Sequence, residues 1–128
     1  MKLGKLSYLG LTLTFMGLVF YLSDQPRPLG LSLPGGWDKI LHSIEYAILG
    51  YLLARTLTFF GTRNVVLLSL IIGSLYGLGD EIHQHFVPGR EASGVDLFFD
   101  SIGTFLGAII GVHWRPSRKF DKGSLPHL

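Results

Sequence analysis

Four apolar stretches divide the 128-residue chain: Leu6–Leu22, Ile40–Phe60, Val65–Gly79 and Leu97–Val112. Residues 65–79, VVLLSLIIGSLYGLG, carry no charge at all. A helix needs about 20 apolar residues to cross a hydrocarbon core of about 30 Å. The first two stretches are near that length. The third and fourth reach it by drawing on the polar stretch between them, which opens with DEIHQHFVPGR at residues 80–90. The pattern predicts an all-α, polytopic bundle of four transmembrane helices over residues 1–116, followed by a polar tail at 117–128. Lys2 and Lys5 precede the first stretch as they would precede a signal peptide, but SDQPRP follows it where a small-residue cleavage site would stand. It is therefore read as a retained span.

Turn chemistry fits these boundaries. Pro26, Pro28, Pro34, Gly35 and Gly36 break the chain between the first two segments. Asp38 suits the N-cap of the second segment, and Trp37 a membrane interface. FGTRN, residues 60–64, makes a tight turn. Pro88-Gly89 ends the third segment, Ser93 or Gly94 starts the fourth, and Trp114-Arg115-Pro116 ends it.

Polar and small residues recur at helical spacing: Asp38, His42 and Tyr46 with Glu45 beside them; Gly73, Gly77, Asp80, Glu81 and Gln84; Ser93, Asp96, Asp100, Gly103, Gly107 and Gly111. Residues three and four apart share a helix face. At about 1.5 Å of rise per residue, Glu45 lies about 21 Å from Phe59, Asp80 about 22 Å from Val65 and Asp100 about 21 Å from Trp114. Three acids on three helices thus reach one depth. Ionisable groups at that depth are costly and face the bundle interior or a wet cavity. The Gly103, Gly107 and Gly111 run reads as close helix packing, or as a dimerisation face. Tyr46 reads as a packing residue with a hydroxyl handle, and His83 and Glu91 as solvated.

Composition sharpens this picture. Charged residues make up 16% of the chain, against about 25% in soluble domains. Absence of cysteine excludes disulfides and thiol chemistry. The net charge of +2 says little, but its distribution is informative. With four spans, one face holds Lys2, Lys5, Arg55, Arg63, Arg115, Arg118, Lys119 and Lys122, and the other only Arg27, Lys39 and Arg90. The positive-inside rule then places both termini in the cytoplasm and the loops 23–39 and 80–96 outside. Nothing in this distribution points to nucleic acid.

Asp38-Lys39-x2-His42-x3-Tyr46-x2-Leu49-Gly50, then Asp80-Glu81-x2-Gln84-x-Phe86-x-Pro88-x-Arg90, then Asp96 and the Gly103/Gly107 helix resemble the VanZ-like family. Ser23-x2-Pro26 resembles it too, and the likeness runs from about residue 20 to 111. One departure is Asp100, four residues after Asp96, where the family pattern has Asn. The resemblance implies a small multi-pass protein of the bacterial cytoplasmic membrane and cell envelope. The family's founding member is associated with reduced sensitivity to teicoplanin, a glycopeptide antibiotic with a fatty-acyl chain. No reaction comes with the resemblance.

The residues themselves suggest the chemistry to test. The candidate catalytic groups are His42, Asp80, Glu81 and Asp100: a histidine suited to proton exchange near neutral pH, and carboxylates that cannot all carry charge cheaply in a low dielectric. Asp38, Lys39, Tyr46, Gln84, Arg90, Ser93 and Asp96 are candidate binding residues, with Arg90 suited to clamp a phosphate or carboxylate. No cofactor is identified. One metal arrangement the spacing permits is a divalent ion on Glu81 and His85 with Asp96 and Asp100, joined by His42. Three functions remain open: an enzyme acting on a lipid-linked or phosphate-bearing amphiphile, a non-catalytic binder of a lipid head group or lipopeptide, or structural glue.

Overall fold

The computed structural model describes residues 3–25, 37–90 and 93–114, apart from the side chains of Lys5 and Asp38. Expectations for Asp38 as a cap, for Glu91, for the prolines between the first two segments and for the 117–128 tail lie outside the described residues. The described chain is four α-helices: α1 (Lys5–Ser23), α2 (Trp37–Phe59), α3 (Val65–His85) and α4 (Gly94–His113). No strand occurs among the described residues.

The boundaries follow from local chemistry. α2 ends in a Schellman turn, in which Thr62 N–H bonds to the Leu57 carbonyl and Gly61 N–H to the Thr58 carbonyl. That turn needs a left-handed residue, and Gly61 supplies it at φ 72°. α3 runs six residues past its apolar stretch and carries Asp80 and Glu81 within its final two turns. The chain then breaks at Pro88-Gly89, where Gly89 has φ 81°. Ser93 caps α4 by accepting from Val95 N–H at 3.2 Å.

The contact pattern fixes the directions. Gly103 meets Ser43, Gly107 meets Ala47 and Gly111 meets Tyr51, so α2 and α4 run parallel. Gly73 meets Thr104 and Gly77 meets Asp100, so α3 runs antiparallel to α4. Thr12 meets Thr56 and Tyr8 stacks on Phe59, so α1 runs antiparallel to α2. The four helices therefore alternate, and the C-termini of α1 and α3 share one end with the N-termini of α2 and α4.

α2 and α4 form the closest pair. A β-carbon on Gly50, Gly103 or Gly107 would collide with the backbone of Thr104, Ser43 or Ala47 respectively, so these glycines let the two backbones touch. The glycine stripe is thereby used inside the bundle.

The molecule is polar inside and apolar outside. Among the described residues ten polar or charged residues are buried against seven apolar ones, while Leu13, Leu18, Leu67, Leu75, Phe98, Leu106 and Ile110 are among many large apolar side chains that stay exposed. Such a surface suits lipid and not water. Three helices are long and apolar enough to cross a membrane: Leu6–Ser23, Val65–His85 and Gly94–His113, with mean hydropathies of 1.6, 1.7 and 1.7. α2, at 23 residues, is long enough but is not among them. It carries Asp38, Lys39, Glu45 and Arg55.

Candidate functional site

The polar face of each helix meets the others at the end where α2 and α4 begin. At the rim, Lys39 Nζ pairs with Asp96 Oδ1 at 3.2 Å and links the first turns of α2 and α4. One turn deeper, His42 Nδ1 faces Asp100 Oδ1 at 3.4 Å. The contact is an ion pair by distance but lacks hydrogen-bond geometry. Asp100 is fully buried, and its carboxylate lies beside Gly77 of α3. A β-carbon at Gly77 would meet Asp100 Oδ2 at 3.4 Å and the Tyr46 ring at 3.3 Å, so glycine there gives both side chains room.

Asp80 is anchored by two donors. The Tyr46 hydroxyl donates to its Oδ2 at 3.4 Å, and Gln84 Nε2 donates to the same oxygen at 3.3 Å. Gln84 Nε2 also donates to Ser23 Oγ at 2.9 Å, which ties the end of α1 to the site. Glu81 Oε2 accepts from Ser93 N–H at 3.0 Å, joining α3 to the start of α4. Tyr46 is itself fully buried and packs with Val19, Leu49 and Leu53.

Several acceptors have no donor. Among the described residues, Asp80 Oδ1, Glu81 Oε1 and both Asp100 oxygens are buried without a hydrogen-bond partner, as is His42 Nδ1. Buried polar atoms are nearly always paired, so this concentration at one place needs a cause. Glu45 and Arg90 lie at the edge. Both are half-buried, and neither makes a hydrogen bond or ion pair through its side chain among the described residues. Arg90 is within electrostatic reach of Glu45 and Asp80.

The structure thus brings His42, Tyr46, Asp80, Glu81, Gln84, Ser93, Asp96, Asp100 and Lys39 to one end, with Arg90 beside them. It does not bring His85. That ring is exposed and packs edge-on against Phe86, with centroids 5.5 Å apart. No three His, Asp or Glu side chains among the described residues are grouped closely enough to hold a metal ion, so the arrangement of Glu81, His85, Asp96 and Asp100 is not assembled. His83, expected to be solvated, is partly exposed and pairs with Asp24 at the surface at 3.0 Å, with its ring 4.6 Å from that of Phe20. Ser23 is the site residue that helical spacing could not find, because it closes α1 and its partners lie on another helix. A separate groove of about 500 Å³, lined by Leu67, Leu70, Phe105 and Val112 among others, lies at the opposite end and is apolar.

Helices with apolar outsides, a core richer in polar than apolar residues and an acid-lined end define a multi-helix membrane protein with an internal polar site. More narrowly, a model of the VanZ/LLP1 family matches residues 7–115, and the chain belongs to the VanZ family. The search of curated proteins and the search of solved structures each return no match.

Proposed function

We propose that this is a four-span protein of the bacterial cytoplasmic membrane, with both termini cytoplasmic, whose acid-lined end engages the head group of an amphiphile in the outer leaflet and acts on it by proton transfer. The fourth span is argued from pairing. α2 lies parallel to α4 from Lys39 and Asp96 at one end to Arg55 and Trp114 at the other. A helix held in register with a spanning helix occupies the same slab. Its charges sit where a span tolerates them, at the two ends and on the inner face.

The observation that carries the site is the set of buried carboxylate oxygens without donors on Asp80, Glu81 and Asp100. In this reading His42 exchanges a proton with the ligand, Asp100 orients the imidazole, and Arg90 meets an anionic group at the rim. An acyl-chain amphiphile of the envelope fits an apolar exterior beside a buried polar cluster, consistent with the teicoplanin association that resemblance brings.

A second reading, binding without turnover, has its own support. The nearby hydroxyls have other partners: Ser43 donates to the Phe99 carbonyl, Ser23 accepts from Gln84 Nε2 and Ser93 accepts from Val95 N–H. None is placed as a nucleophile beside His42. The test is to purify wild type from native membranes and identify the amphiphile it carries, before and after incubation, by mass spectrometry. The expected result is an amphiphile that remains with wild type, is chemically altered on incubation, and is about tenfold depleted from Glu81→Gln and Arg90→Ala. An unaltered amphiphile selects the binding reading. Equal loading of folded Glu81→Gln and wild type sinks both, and loss of folding in both variants assigns the cluster to holding the bundle together.

A further inference from the structure

We propose that the group taken up by the buried acids is a primary ammonium, so that the ligand is an amino-bearing amphiphile. This rests on the head-group reading above and names its chemistry. The argument is an inventory of donors and acceptors. Most donors at the heart of the site are already spent, the exceptions being His42 Nδ1, which faces Asp100 Oδ1 at 3.4 Å without hydrogen-bond geometry, and the hydroxyl hydrogen of Ser23. The Tyr46 hydroxyl and one hydrogen of Gln84 Nε2 go to Asp80 Oδ2, the other Gln84 hydrogen goes to Ser23, and Ser93 N–H goes to Glu81 Oε2. Against these stand four unpaired acceptors among the described residues: Asp80 Oδ1, Glu81 Oε1 and both oxygens of Asp100. These belong to residues only 4%, 6% and 0% exposed.

A ligand that fits must therefore bring N–H or O–H groups. A phosphate or carboxylate brings acceptors and more negative charge, and charge already runs the other way. Among the described residues Glu45, Asp80, Glu81, Asp96 and Asp100 outnumber His42, Lys39 and Arg90, and Lys39 is committed to Asp96. An R–NH3+ group presents three donors from one compact charge. A quaternary ammonium presents the charge with no donor. A metal ion needs closely grouped ligands, which the described His, Asp and Glu side chains do not form. Any phosphate the amphiphile carries goes to Arg90, the side chain at the rim without an ion pair among the described residues.

The test uses the full chain in nanodiscs containing equal parts phosphatidylethanolamine, phosphatidylcholine and phosphatidylglycerol, with retained lipid read by native mass spectrometry. These differ as primary ammonium, quaternary ammonium and uncharged glycerol on a common phosphate. Wild type is expected to retain phosphatidylethanolamine over each of the others by about tenfold, equivalent to about 1.4 kcal/mol. Asp100→Asn, which keeps the shape, is expected to bring that ratio close to one, and Glu81→Gln is expected to do the same should Asp100→Asn not fold. Absence of an ethanolamine preference in wild type overturns the amine inference without needing any variant. If the amphiphile carried from native membranes depends on Glu81 but bears no amine, the amine inference falls while the head-group site stands. If no amphiphile depends on Glu81, both fall.

Discussion

At Gly107 a β-carbon would run into the Ala47 backbone, whereas at Gly79 it would meet nothing within 4 Å. Both are glycines inside apolar helices, and the same substitution should act oppositely on them. Gly107→Ala forces α2 and α4 apart and is expected to destabilise by about 1–3 kcal/mol, the usual cost of overpacking. Gly79→Ala is expected to be neutral or to stabilise by about 0.5–1 kcal/mol, through helix propensity alone. Unfolding of both variants in mixed micelles checks this, and equal effects would contradict the packing. Repetition every four residues marks Gly103, Gly107 and Gly111 as one face in the sequence. It does not name the partner, because a spacing fixes a face and not the surface it meets. The acids behave alike: spacing places Asp80, Glu81 and Asp100 on inward faces at one depth, but which oxygens stay without donors depends also on Tyr46 arriving from α2 and on the Ser93 N–H just ahead of α4.

Elements differ in how they are held. α1 has no glycine seam. Polar pegs carry it: Thr12 to Thr56 at 2.9 Å, the Tyr76 hydroxyl to the Met16 carbonyl, and Gln84 to Ser23. Tyr76→Phe removes one peg and is expected to loosen α1 alone. Disulfide trapping between paired cysteines at Tyr8 and Phe59, whose rings stack 5.3 Å apart, should fall, while trapping between α2 and α4 should not. At the other end of the bundle Arg55 is only 4% exposed. Its guanidinium lies 5.2 Å from the Tyr8 ring centroid and 5.4 Å from that of Phe59, and Nη1 donates to the Trp114 carbonyl at 3.3 Å. It therefore joins α1 to the closing turns of α2 and α4, where helix dipoles favour a cation. Arg55→Lys keeps the charge and loses the planar stack. It is expected to cost about 1–2 kcal/mol of stability, read as a lowered thermal midpoint in detergent, and no change would refute this role. In the sequence Arg55 reads only as one more positive charge on the inner face. Its burial follows from α1 packing across it, which no local pattern records.

The whole molecule turns on whether α2 crosses. α1, α3 and α4 have the length and hydropathy to span, and α2 has the length with charges at both ends. Parity decides the matter, and the lack of any native cysteine makes it measurable. If all four helices cross, Leu3 and Thr62 lie on one side and His85 on the other. If α2 does not cross, α1 and α3 are joined by a segment that stays on one side, and Leu3 and Thr62 fall on opposite sides. Single cysteines at Leu3, Thr62 and His85 can be treated with a membrane-impermeant maleimide on intact cells and again after permeabilisation. The expected pattern is His85→Cys labelled in intact cells, with Leu3→Cys and Thr62→Cys labelled only after permeabilisation. Leu3→Cys and Thr62→Cys on opposite sides would remove the fourth span. The inverse of the expected pattern would keep four spans and turn the acid end to the cytoplasm. That would move the amphiphile to the inner leaflet while leaving the donor and acceptor argument at Asp80, Glu81 and Asp100 untouched, since it depends on which atoms meet and not on which side of the bilayer they face.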